Sequence, residues 1–251
     1  MSDQMQALRD SVQHLHDVAI EIDPAYYSSP AYPSEWTIAD TFSHLGSGAV
    51  IGRHSFNDAV AHREADPLFN TSVWDEWNAK DSRAQVSDCL TCDAAYLSTL
   101  EDSTEDQRSE FEMKLGPFAF DFDGLVGLRL GEHVLHTWDV EVPFHPKATL
   151  SSDAASAILD RVQFIVSRAA KLTGDEKDVT IRTSKPVRDF TLVLDADSAR
   201  LIETRNKGSV DLEIPAEALV RLFYGRLDKK HTPESVSGEV VNYLRRIYQG
   251  L

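Results

Sequence analysis

Residues 123–140, DGLVGLRLGEHVLHTWDV, read as a single helix, and the segments on either side are placed from it. Glu132 and His136 are four residues apart, so they project from the same face, one above the other. At 100° per residue, Leu125, Leu128, Leu135 and Asp139 fall within about 60° of Glu132. The acid and the imidazole therefore lie in an apolar stripe, where burial without partners is costly. Either a metal ion completes them, which needs a third ligand, or a salt bridge or hydrogen bond to a neighbouring helix does. Val126, Leu130 and Val134 occupy the opposite side, so the helix is apolar on two faces and covered on two sides.

Toward the N-terminus, residues 4–22 carry Leu8, Val12, Leu15, Val18 and Ile22 at helical spacing. His14 and His16 on that helix diverge by about 200° and cannot share one ion. Residues 24–35, with three prolines, form a loop. A second helix runs from near Trp36 to about Arg63, and Thr37 with Asp40 resembles a capping box. His44 lies inside it among Asp40, Ser47, Gly48, Ile51 and Ser55, small neighbours that suit a pocket or close helix packing. His54 and His62 lie off that face or toward the exposed end. Residues 66–75 read as a connection, followed by a third helix over roughly Trp77–Leu100 with Val86, Leu90, Ala94 and Leu97 as its stripe. The charge cluster at 101–110 reads as a solvated turn. Residues 111–122, with Gly116-Pro117 and alternating aromatics, read as a short hairpin or extended loop. Four long helices with polar connections predict a four-helix bundle.

Beyond 140 the composition changes, and VPFHPKATL (142–150) is the expected boundary, dividing the chain into domains 1–145 and 146–251. A helix is expected over 151–172, then strands at 178–183, 187–196, 199–205 and 209–215. In the second strand Phe190, Leu192 and Leu194 alternate with polar neighbours. Pro215 and Gly225 bracket a helix in the usual Pro-first, Gly-last order, and residues 234–251 predict a terminal helix. This half is an α+β domain, an antiparallel sheet covered by helices.

The chain has 251 residues and a net charge of −16, from 25 Lys and Arg against 41 Asp and Glu. With no basic patch to neutralise phosphates, nucleic acid and anionic membrane are excluded as expected partners. The opening residues show no basic segment leading into an apolar core, and no run of about 18 apolar residues occurs, so a cytoplasmic protein is expected. Cys89 and Cys92 form a lone C-x-x-C without a second pair or a preceding strand, and read as inert thiols.

The segments WTIADTFSHL (36–45) and GEHVLHTWDV (131–140) together resemble the DinB-like superfamily, in its mycothiol-dependent maleylpyruvate isomerase branch. The resemblance extends over nearly the whole chain. It implies a DinB-like metal-binding four-helix bundle followed by a small α+β domain related to sterol-carrier-type folds. It also implies a divalent metal, usually zinc, held by a histidine on the second helix and a Glu-x3-His pair on the last. These match His44, Glu132 and His136. The superfamily often has histidine where this chain has Glu132, and the glutamate points to the mycothiol branch. In RLFYGR (221–226) the resemblance assigns contact with an anionic substrate to Arg226 in preference to Arg221; the plainer reading is an arginine complementing a helix end.

Three protein ligands with an open fourth position are the pattern of catalytic zinc. The implied chemistry is deprotonation of a thiol supplied by mycothiol. That thiolate serves a cis–trans isomerase acting on a small electrophile, or an S-transferase that keeps the thiol on its product. Asp139 either orients a ligand imidazole or is an exposed helix-end acid, and Trp36 and Trp138 either wall the site or belong to the core. Other readings are a non-catalytic metal-binding protein and a lipid-binding module built on the last domain. A monomer or small homo-oligomer is expected.

Overall fold

The computed structural model describes residues 3–33, 35–115, 118–205, 208–236 and 238–250, and the chain divides into two compact units, 1–148 and 149–251. Four long helices build the first unit among the described residues: α1 (Asp3–Glu21), α2 (Ile38–Val60), α4 (Ser82–Glu101) and α6 (Phe122–Glu141). Two short helices, α3 (Phe69–Asn78) and α5 (Glu105–Glu110), join them. Helix α2 packs along α4, and α1 along α6. Leu15, Phe42, Leu45, Trp77, Cys89 and Val140 belong to a shared apolar cluster.

Local signals explain the helix limits. Thr37 caps α2 in a full capping box with Asp40. The Asp121 carboxylate accepts from Gly124 N at 2.7 Å to start α6. The expected helix from Trp77 is instead two helices. Asp81 accepts from the backbone N–H of Arg83 and Ala84 at 2.9 Å and opens α4, while Val73 and Trp77, one turn apart and both buried, carry α3 through the supposed connection. The charge run at 101–110 likewise contains α5, nucleated by a Thr104–Gln107 capping box. Strands β1 (Met113–Leu115) and β2 (Phe118–Phe120) form the hairpin, whose Gly116-Pro117 tip lies outside the described residues.

Three glycines of α2 sit where large side chains press on the helix. A Cβ at Gly46 would lie 2.1 Å from the Trp77 ring, at Gly52 2.8 Å from Tyr96, and at Gly48 3.3 Å from Arg129 Nη1. Of the small residues named around His44, Gly48 thus serves close packing.

The second unit holds α7 (Ser152–Leu159), α8 (Gln163–Ala169), β3 (Val179–Ser184), β4 (Asp189–Leu194), β5 (Ala199–Thr204), β6 (Leu212–Pro215), α9 (Ala216–Phe223) and α10 (Glu239–Ile247). The sheet order is β5-β4-β3-β6. It is mixed where a purely antiparallel sheet was expected: β6 runs parallel to β3, with Ile181 opposite Leu212, because β4 and β5 intervene as the crossover. Val179, Ile181, Phe190, Leu192 and Leu194 fill the inner face. The helix expected over 151–172 breaks after Leu159. Beyond the break the Gln163 side chain binds Ala199 O and Leu201 N, each at 3.0 Å, and satisfies edge groups of β5. The terminal helix starts only at Glu239, since Gly238 at φ 112° is outside helical conformation. Gly225 ends α9 at φ 73°, and a Cβ there would meet Gly250 N at 2.3 Å.

Candidate metal centre

Helices α2 and α6 bring His44, Glu132 and His136 together. Among the described residues these are the one group of three or more such side chains whose ligand atoms converge, all within 4.8 Å of one another. His44 Nε2 lies 3.3 Å and His136 Nε2 3.5 Å from the same carboxylate oxygen, Glu132 Oε2. Tetrahedral zinc with ligands at 2.0–2.1 Å requires ligand-to-ligand spacings of about 3.3–3.4 Å. The observed spacings to Glu132 already match that figure. His44 and Glu132 are each 42% exposed and His136 10%, so one side of the cluster faces solvent.

The electrostatics are those of a carboxylate held between two imidazoles. Crowding by protein pushes the Glu132 carboxyl up, but hydrogen bonds and charge interactions with His136 and His44 outweigh it and hold the carboxyl well below the usual carboxylate range. Burial lowers His136, while hydrogen bonds to Asp139 and Glu132 raise it, and the net direction is upward. Asp139 is fully buried, which settles it as a partner and not an exposed helix-end acid. Its Oδ2 accepts from His136 Nδ1 at 2.9 Å, leaving Nε2 turned toward Glu132. This is the hydrogen bond that fixes the tautomer of a ligating histidine.

Trp36 covers the imidazoles, its ring 5.0 Å from His44 and stacked 5.7 Å from His136. Trp138 is elsewhere: it packs edge-on against Tyr32 and donates to Ala148 O at 2.9 Å. His54 is engaged with Asp58 at 3.0 Å and stacks on Phe69, and His62 is exposed at the end of α2. Burial raises the thiol pKa of both Cys89 and Cys92, which keeps them protonated and weakly nucleophilic.

In the second unit, Arg221 is only 2% exposed. It forms a two-pronged ion pair with Glu217 at 2.8 and 3.0 Å, and donates to His231 O at 2.8 Å. Arg226 is half-buried, and its Nη1 donates to Tyr224 O at 2.6 Å.

Sequence reasoning missed a second polar cluster inside the bundle. Asp93 of α4 pairs with both Arg129 and His133 of α6. Ser11 of α1 bonds His133 Nδ1 at 2.7 Å, and Arg129 donates to Leu45 O of α2 at 3.1 Å. Burial pushes the Asp93 carboxyl up, yet charge interactions and hydrogen bonds with His133 and Arg129 hold it well below the ordinary range. The available signal was Arg129 and His133 at i, i+4 on a helix otherwise read as apolar.

The sequence profile described as the mycothiol maleylpyruvate isomerase N-terminal domain matches residues 8–141. No curated protein matches the chain. Among solved structures, the chain resembles the crystal structure of the mycothiol-dependent maleylpyruvate isomerase, with 14% identity and a TM-score of 0.67 over 95% of both chains. A histidine-to-alanine mutant of that enzyme matches at 13% identity, with the same score and coverage. At that identity the likeness establishes the fold, and the profile establishes the kinship. Among the described residues no helix is long and apolar enough to cross a membrane. Spanning more than half of the chain, the match identifies it as a member of the mycothiol maleylpyruvate isomerase N-terminal domain family.

Proposed function

We propose that this chain is a zinc- and mycothiol-dependent enzyme that handles a small anionic electrophile, as a maleylpyruvate-isomerase-like cis–trans isomerase or a mycothiol S-transferase. The observation that carries the reading is the convergence of His44, Glu132 and His136 with an open side. Two imidazoles and one carboxylate suit a catalytic divalent cation, since structural zinc sites are closed, usually by cysteine. When bound, the cation supplies Lewis acidity that lowers the pKa of an incoming thiol.

The chain's own residues set the rest. His44, Glu132 and His136 hold the cation, and Asp139 keeps the His136 ring in its ligating orientation. Trp36 walls one side and limits water there. Arg226 is proposed to contact the anionic group of the electrophile. Support for that choice over Arg221 is chemical: Arg221 is buried and neutralised by Glu217. In the isomerase the thiol adds to the cis double bond, the bond rotates and the thiol leaves. In the transferase it stays on the product.

The test is calorimetric titration of mycothiol into the zinc-loaded protein, following proton release. Binding with about one proton released per site is expected. No binding would put the non-catalytic metal-binding reading ahead. His44→Ala or His136→Ala is expected to lower metal content well below one ion per chain while the fold persists, and Glu132→Gln to weaken it less. Full metal retention in either alanine variant would remove that histidine from the site.

A further inference from the structure

The sealed cluster lies beside the candidate metal centre in sequence and in space. Leu45, whose carbonyl accepts from Arg129, follows His44, and His133 follows Glu132. Each long helix contributes: Ser11 from α1, the Leu45 carbonyl from α2, Asp93 from α4, and Arg129 with His133 from α6. The order Ser11–His133–Asp93 has the connectivity of a nucleophilic triad. With Ser11 8%, His133 0% and Asp93 2% exposed, no substrate reaches it. Its consequence must therefore be internal.

Stability alone is a poor account of it. A buried ion pair seldom outperforms apolar residues of the same volume. Here the Arg129 Nε is buried with no hydrogen-bond partner, a further cost. What polar contacts supply and apolar ones do not is direction. We infer that Ser11, Asp93, Arg129 and His133 form a positioning network that sets the rotation of α6 against α2 and so aims Glu132 and His136 at His44; the inference rests on the metal-centre reading above.

The geometry demands such a device. On a helical wheel, Arg129 and His133 lie about 60–100° from Glu132, so they grip one face of α6 while the ligands use the next. A side-chain atom sits about 5–6 Å from the helix axis, so rotating α6 by 20° moves it about 2 Å. Metal–ligand distances tolerate about 0.2 Å. Apolar packing is non-directional, whereas hydrogen bonds fix angle as well as distance. Hydrogen-bonding partners on α4 and α1, with a third on α2, hold α6 in one rotation.

The probe is cobalt(II), titrated into the metal-free protein and read both as affinity and as the visible ligand-field spectrum, which reports coordination geometry. Two variants are compared with wild type. Asp93→Leu combined with Arg129→Met removes the charges without orphaning either one, and Ser11→Ala deletes a single hydrogen bond. Leu100→Ala, a cavity two turns along α4 from Asp93 that removes no polar group, controls for general loosening. The paired variant is expected to keep its helical circular dichroism, lose about tenfold or more in affinity, and show an altered spectrum. Ser11→Ala is expected to shift both in the same direction by less, and Leu100→Ala to leave the spectrum unchanged. A folded paired variant with wild-type affinity and spectrum would overturn the network; should that variant not fold, an unchanged Ser11→Ala decides against it equally. If wild type itself takes up no cobalt, the metal-centre reading fails and the inference with it.

Discussion

One helix contributes to two acid–histidine groupings from adjacent faces, and they meet opposite fates. On the sealed face, His133 and Arg129 both engage Asp93, and the guanidinium balances the carboxylate inside the bundle. On the open face, it is two imidazoles, those of His44 and His136, that meet Glu132. The residue types nearly match; the charge balance does not. A carboxylate closed in by protein needs a full positive charge. The first face finds it in the chain; the second is partly open to solvent, and there the proposed cation would supply it. The structural cluster includes a guanidinium, whereas the proposed metal-binding one meets its carboxylate with imidazoles.

The sharpest way to break that contrast is to remove the guanidinium. Arg129→Ala leaves Asp93 buried without its permanent cation and is expected to cost about 3–5 kcal/mol in denaturant unfolding. A loss below about 1 kcal/mol would show that the cluster is not charge-balanced as described. The open face should behave in reverse. Glu132→Ala in metal-free protein is expected to change stability by under about 1 kcal/mol, because the group is partly solvated. Zinc at a hundredfold excess over its Kd should stabilise wild type by about 2.7 kcal/mol and the variant by almost nothing. Equal zinc stabilisation of both proteins, read in thermal melts, would end the contrast.

How much of this was legible in the sequence differs between the faces. Glu132 and His136 could be placed together from their spacing alone, because i, i+4 is a property of one helix. The approach of His44 is tertiary, and it entered through the resemblance carried by WTIADTFSHL. Asp93 sits in α4, and no periodicity links it to Arg129 on another helix. Element existence followed the apolar period, as in α1, α2 and β4. The breaks did not, since they depend on caps: Asp81 before α4 and Thr104 before α5 are one-residue signals within longer polar or helical patterns. The parallel pairing of β6 with β3 was equally hidden, because alternation shows a strand's face and not its neighbour.

Glycines in α2 sharpen the comparison at smaller scale, since Gly48 faces Arg129 of the sealed cluster while Gly46 faces Trp77. In an open helix, glycine to alanine is worth up to about 1 kcal/mol of stabilisation. At Gly46 the new Cβ would lie 2.1 Å from the Trp77 ring and 2.9 Å from the Cys89 Cα, so neither neighbour can yield cheaply. Gly46→Ala is expected to destabilise by a net of about 1–3 kcal/mol. Gly48→Ala, whose nearest contact is the guanidinium tip at 3.3 Å, should cost less. Reversal of that order in urea titrations would mean that α2 is held by the polar cluster more rigidly than by Trp77.

The smallest expected effect lies outside both faces, where α6 meets α1 at its solvent edge. His14 Nε2 is 3.0 Å from Glu141 Oε2, and the hydrogen bond to Glu141 raises the His14 pKa above 6.5, against a lowering from partial burial. A group whose folded pKa is raised binds its proton more tightly in the native state. Its contribution is therefore fully present below 6.5 and lost as pH rises through the raised value. His14 is 50% exposed, so solvent screens the pair, and its worth should be about 0.2–1 kcal/mol. Glu141→Gln should accordingly destabilise the protein at about pH 5.5 and be nearly silent at about pH 8.5. A penalty that grows with pH would reverse the sign and remove His14 as the partner. That sign separates this exposed pair from the Asp93 cluster. The depressed Asp93 carboxyl adds stability above its unfolded value and loses it as pH falls toward the folded one, so acid weakens the sealed face while base weakens the edge.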